Sequence, residues 1–228
     1  MASDNKRLLN SISAVLLAVL TVVIASAGTA FAVDQVSKRS DRVTLRGEIT
    51  AMTIESVTIK LSNGQIQVVP VSDIFNVRFD TEPSLLAQAQ SNERSGALDV
   101  ALEKYQAMQK EYSGDDKRVV ADIKFLIART MVRQALADPS KVPDAVAAIR
   151  KFREENRTNF RYLEASLLES SLASSEGAQS LLTEVQASPV KGYQLQAGVQ
   201  LGQLLLNSGD SAGALAAFEQ VIAQSAGD

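Results

Sequence analysis

The residues equipped for chemistry in this 228-residue chain are carboxylates and hydroxyls, because it contains no His and no Cys. Their absence removes imidazole bases, thiol nucleophiles, thiolate metal sites and disulfides together. Carboxylates pair at Asp115-Asp116 and Glu154-Glu155. An acid and a base must face one another across a substrate, whereas neighbours on a helix point apart. Asp115-Asp116 follows Gly114 and precedes a helical run, so a helix cap is its expected role. Hydroxyls cluster at Ser170-Ser171 and Ser174-Ser175 with no base nearby in sequence, as surface or turn residues do. No phosphate-cradling glycine loop or nucleophile elbow is present. Glycoside hydrolysis by carboxylates alone also calls for an aromatic-rich cleft, and aromatics are 5% of the chain. The expectation is therefore a protein that is not an enzyme, with no cofactor and no metal.

Charge narrows the partners. A formal net charge of −3 argues against nucleic acid, whose phosphates ask for a basic surface. Two local basic stretches stand out against it. Lys38, Arg39, Arg42 and Arg46 read as a solvated linker face, with contact to an anionic polymer or lipid as the alternative. Arg150, Lys151, Arg153, Arg157 and Arg161 lie beside Phe152, Phe160 and Tyr162. They read as a helix face paired with Glu154 and Glu155, with an acidic-partner patch as the alternative.

Three kinds of element must position these groups. Residues 1–32 carry Lys6 and Arg7, the apolar run AVLLAVLTVVIA from Ala14 to Ala25, and the small-x-small triplet Ala30-Phe31-Ala32. Together they read as a secretory signal peptide, which makes the chain periplasmic or secreted. The alternative is an uncleaved helix tethering it to the inner membrane through residues 8–27. Residues 33–81 read as a small β module. Val57-Thr58-Ile59-Lys60-Leu61 alternates as a half-buried strand does. Asn63-Gly64 supplies a hairpin signal with both residues expected at positive φ, Gln65 to Val69 returns, and Pro70 stops the strand. Strands are also expected over Arg46 to Thr53 and Ile74 to Phe79. The layout resembles an SH3-like or Sm-like barrel, and capping of the first helix is its plainest role.

Residues 82–228 read as paired amphipathic helices, with Ser84 the expected first cap. Leu201-Gly202, the turn Gly209-Asp210, and Ala214, Phe218 and Val221 form the clearest pair, the last three sharing one helix face. Gly96, Ala101, Tyr105 and Met108 match it upstream. So do Ala145, Ile149 and Phe152, and Gly177, Ala178, Leu182 and Val185. The small residues Ala101, Ala145, Ala178 and Ala214 recur at separations of 44, 33 and 36. This pattern resembles the tetratricopeptide repeat, whose period is about 34 residues, without that family's Trp. The fold class expected is α+β: a small β barrel or sheet followed by an α-solenoid of about four tetratricopeptide-like hairpins.

The resemblance implies a function. Such arrays present a groove lined by the first helix of each pair. By register that groove would hold Asp122, Phe125, Arg129 and Arg133 in the second unit, and Gln196, Val199, Gln203 and Asn207 in the fourth. The expected function is a protein–protein scaffold of the cell envelope, probed by a protein or peptide partner. The alternative is an accessory or carbohydrate-binding role through the β module. With no polar capping helix in view after Val221 and Ile222, the last hairpin is also expected to offer apolar surface to a partner or to a second copy.

Overall fold

The computed structural model describes residues 33–226, so the expected signal segment lies outside the described residues. The fold is α+β: a five-stranded antiparallel sheet followed by eight α-helices. The strands are β1 (Asp34–Lys38), β2 (Thr44–Met52), β3 (Ser56–Leu61), β4 (Ile66–Pro70) and β5 (Ile74–Arg78), in the order β4-β3-β2-β1-β5. β1 pairs with both β2 and β5, with Val36 opposite Leu45 on one side and Val77 on the other. These side chains alternate inward, as does the Val57–Ile59 pair on β3. A 3-10 turn over Val71–Asp73 joins β4 to β5.

Two local expectations need correction. β1 was not expected as a strand, because Ser37, Lys38 and Arg39 follow only one apolar Val; the pairing of Val36 from both sides creates it. The Asn63-Gly64 turn has only Gly64 at positive φ (85°). Leu61 N donates to Gln65 O and Asn63 Oδ1 accepts from Gln65 N, which makes a three-residue loop in place of the two-residue primed turn.

The helices are α1 (Leu86–Arg94), α2 (Leu98–Glu111), α3 (Lys117–Ala137), α4 (Val142–Glu155), α5 (Tyr162–Ser170), α6 (Ser175–Gln186), α7 (Lys191–Asn207) and α8 (Ser211–Ser225). Each packs on the next in sequence, and α3 meets α5 as α5 meets α7. The odd-numbered helices thus form an inner row and the even-numbered ones an outer row. Ser84 caps nothing: α1 begins after Leu85, with no side-chain cap. Asp116 does cap α3, accepting from Arg118 N, and Asp210 caps α8 through Gly213 N. The first and last hairpins turn on Gly96 and Gly209, at φ 85° and 86°, a conformation that costs glycine nothing.

Small residues let the helices meet. Ala101, Ala145, Ala178 and Ala214 are all buried, each on the second helix of its pair. A Cβ on Gly202 would stand 2.5 Å from the Phe218 ring, and one on Gly198 2.5 Å from Val221 Cγ2. The α7–α8 crossing therefore closes to a distance only glycine allows. One continuous apolar core runs from Val36 in the sheet to Ala197 in α7, so sheet and helices fold as one compact unit.

Candidate functional site: the inner helices and the edge of the sheet

α3 carries charged groups on the same face as its apolar ones, and burial forces each to find a partner. Glu93 of α1 is almost fully buried. Its carboxylate accepts from Arg129 Nε at 2.8 Å, Arg129 Nη2 at 2.7 Å, Tyr105 Oη at 2.9 Å and Arg133 Nη1 at 3.3 Å. Burial pushes the Glu93 pKa upward, but these donors outweigh it and hold it below the usual carboxylate range. Burial beside that carboxylate pushes the Tyr105 hydroxyl far above its ordinary value.

The chain of charges continues across the inner row. Arg129 approaches Glu164 at 3.7 Å, and Arg161, itself buried, pairs with Asp122 at 3.1 Å and Glu164 at 3.1 Å. The Arg129 and Arg161 guanidiniums lie over the Phe125 ring at 5.4 and 5.0 Å. α1, α3 and the start of α5 are thus tied by alternating acid and base.

The expected site residues divide sharply. Asp122 is 2% and Phe125 0% exposed, so neither can line an open groove; the inner helices pack too closely at that level. Arg129 and Arg133 reach a cleft but are largely engaged by Glu93. Gln196, Val199, Gln203 and Asn207 all lie on the exposed face of α7, with Val199 48% exposed. The structure does not bring the two sets together into one continuous surface. Within the basic stretch, Arg150 and Arg153 clamp the buried Glu169, Arg153 reaches Glu184 and Arg161 is buried against Asp122 and Glu164, whereas Lys151 and Arg157 are exposed and form no ion pair among the described residues. Of the expected carboxylate partners, Glu155 pairs with Lys124 instead.

The sheet lies against this inner row. Arg118 on α3 donates to the buried Asp34 carboxylate of β1 at 2.8 Å and to Asp116 at 2.7 Å, and covers the Phe79 ring. Asp34 also accepts from Ile49 N and Asp80 N. At the other end Ser72 meets Gly192 of α7 so closely that a Cβ there would stand 2.5 Å from the Ser72 Cβ. Between them β5 and α1 and α3 enclose a cleft of about 260 Å³ reached by Arg39, Phe75, Asn76, Gln90, Arg129 and Arg133. Sequence reasoning missed this, since it kept the sheet apart from the groove. A signal was present in the basic stretch Lys38, Arg39, Arg42 and Arg46, of which Arg39 lines the cleft.

Among the described residues no group of acidic side chains is arranged to hold a metal ion, and no helix is long and apolar enough to cross a membrane. Comparison of the chain with models of protein families, with curated proteins and with solved structures gives no match.

Proposed function

We propose that this protein is an exported, non-catalytic adaptor of the cell envelope that holds another protein against a tetratricopeptide-like helical array. The sheet takes the layout of a small SH3-like barrel that braces the inner row. The strand order with β1 between β2 and β5, and the 3-10 turn before β5, support that detail. The single observation that carries the reading is the recurrence of buried small residues, Ala101, Ala145, Ala178 and Ala214, at successive hairpin crossings. Stacking of that kind builds an extended surface and no deep reaction pocket.

The partner-contacting surface in this reading is the exposed strip of α7, Gln196, Val199, Gln203 and Asn207, flanked by Leu206 and by Leu215 and Ile222 of α8. Those three apolar side chains are 48%, 59% and 65% exposed, and contiguous exposed apolar surface marks interaction sites. The test is affinity capture from the native envelope with the protein and its Val199→Glu/Gln203→Glu variant. The variant is expected to keep its helical circular dichroism and to lose the proteins captured by the parent. An identical capture profile from both would remove α7 as the contact surface.

A further inference from the structure

We propose that the cleft between the sheet edge and the inner helices binds an extended acidic peptide segment. The proposal rests on the adaptor reading and names the chemistry of one partner segment. It uses a surface separate from the α7 strip, so the two tests fail independently.

Two concavities adjoin, sharing Arg39 and Phe75: the inner one of about 260 Å³, and an outer one of about 590 Å³ that adds Lys38 and Arg42. The outer concavity is of the size that holds a ligand of several rigid groups. Arg94 stands at the rim of the inner one. Lys38 is engaged by Asp41 at 2.7 Å, and Arg129 and Arg133 by Glu93. Arg39, Arg42 and Arg94 form no ion pair among the described residues, and all three are exposed. Three unneutralised guanidiniums gather along these two adjoining concavities in a chain whose net charge is −3; Arg46 and Arg157, which are also exposed and without an ion pair among the described residues, line neither, and Arg118, Arg153 and Arg161 are tied to carboxylates.

The geometry of the cleft selects the kind of anion. The Arg39 guanidinium lies 5.7 Å from the centre of the Phe75 ring, which supports its flat face and leaves its N–H edge free for a two-point contact with a carboxylate. Phe75 is 55% exposed and offers a seat for an apolar side chain. Asn76 and Gln90 carry amides that match a peptide backbone. A flat bilayer would touch the rim only, since Arg129 and Arg133 are recessed, with side chains 23% and 38% exposed. Arg42 itself sits at φ 58°, the one non-glycine residue at positive φ among the described residues. Such strain persists where the surroundings impose it, and it clusters at ligand clamps.

The test is fluorescence anisotropy of a labelled peptide of glutamates flanking one phenylalanine, titrated with the full chain at low salt. Parallel arms use a lysine-for-glutamate peptide, inorganic phosphate as competitor and phosphatidylglycerol vesicles. Saturable binding of the acidic peptide is expected, weakening as salt rises and at least tenfold weaker in Arg39→Glu/Arg94→Glu. Arg42→Gly is expected to weaken it several-fold with the melting temperature unchanged or raised, because glycine accepts the left-handed backbone. That variant carries the test even if the double charge reversal does not fold. No saturable binding, equal binding of the lysine peptide, affinity unchanged in both variants, full competition by phosphate alone, or binding to vesicles in place of the peptide would each overturn the proposal.

Discussion

α3 and α7 hold equivalent places, each the first helix of its pair and each in the inner row, yet they use their faces in opposite ways. α3 turns Asp122, Phe125, Arg129 and Arg133 toward other parts of the same chain, where Glu93, Arg161 and Phe75 meet them. α7 meets α8 through bare glycines and leaves Gln196, Val199, Gln203 and Asn207 to solvent. The first helix of a pair can therefore serve cohesion in one part of the chain and keep its face exposed to solvent in another. Which role a unit takes depends on what the rest of the fold lays against it, and here the sheet lies against the first half.

The comparison breaks most visibly at Glu93. Glu93→Ala would leave Arg129 and the Tyr105 hydroxyl without their buried acceptor, and removing one partner of a buried pair costs about 3–5 kcal/mol. A large fall in the urea midpoint is expected; a variant that unfolds with the parent would mean the inner row is held by packing alone. At the other end, Gly202→Ala forces the Phe218 ring to move. Overpacking of this kind costs about 1–3 kcal/mol, and hydrogen exchange should quicken in α7 and α8 more than in α3. Phe218→Ala is expected at about 2 kcal/mol, below the range for a fully buried ring, because Phe218 is only half-buried.

A smaller, pH-dependent effect separates the two regions further. Burial pushes the Asp116 pKa up, but hydrogen bonds from Arg118 and Thr81 outweigh it and hold it at about 2, against 3.8 for a free side chain. A folded-state pKa below the unfolded one gives stability that is present above the unfolded value and lost as pH falls through the folded one. Acid should thus loosen the sheet–α3 junction between about pH 4 and 2, and Asp116→Asn should flatten the stability profile in that window. Least of all, Gln196→Ala and Gln203→Ala should change stability by no more than about 0.5 kcal/mol; a larger loss would put α7's exposed face in the fold's own service.

Much of the frame was legible because it depends on local rules. The small residues at the crossings, the glycine turns at Gly96 and Gly209, and the cap at Asp116 each follow from neighbours in sequence, whereas the cap expected at Ser84 does not form. What escaped reading depends on contacts between distant segments. β1 exists because Val36 is covered from two sides, and Asp34, which looks like an ordinary surface aspartate, is buried by Arg118, 84 residues away. Register alone placed Asp122 and Phe125 in a groove, since periodicity gives the inward face of a helix and not what already occupies that side. The cleft basic residues were visible as a cluster, but Arg94, Arg129 and Arg133 reach Arg39 only once the sheet is folded against α1 and α3.

The close approach of Ser72 to Gly192 has a mechanical meaning. The chain leaves the sheet into α1, travels through six helices, and touches the sheet again at the start of α7, so the path is a closed circuit with α8 lying beyond it. A spring fastened at both ends stretches less than one fastened at a single end. Loosening of a hairpin between α1 and α7 strains the Ser72 contact as well, which couples the melting of those helices to that of the strands, whereas α8 is held chiefly by its crossing with α7.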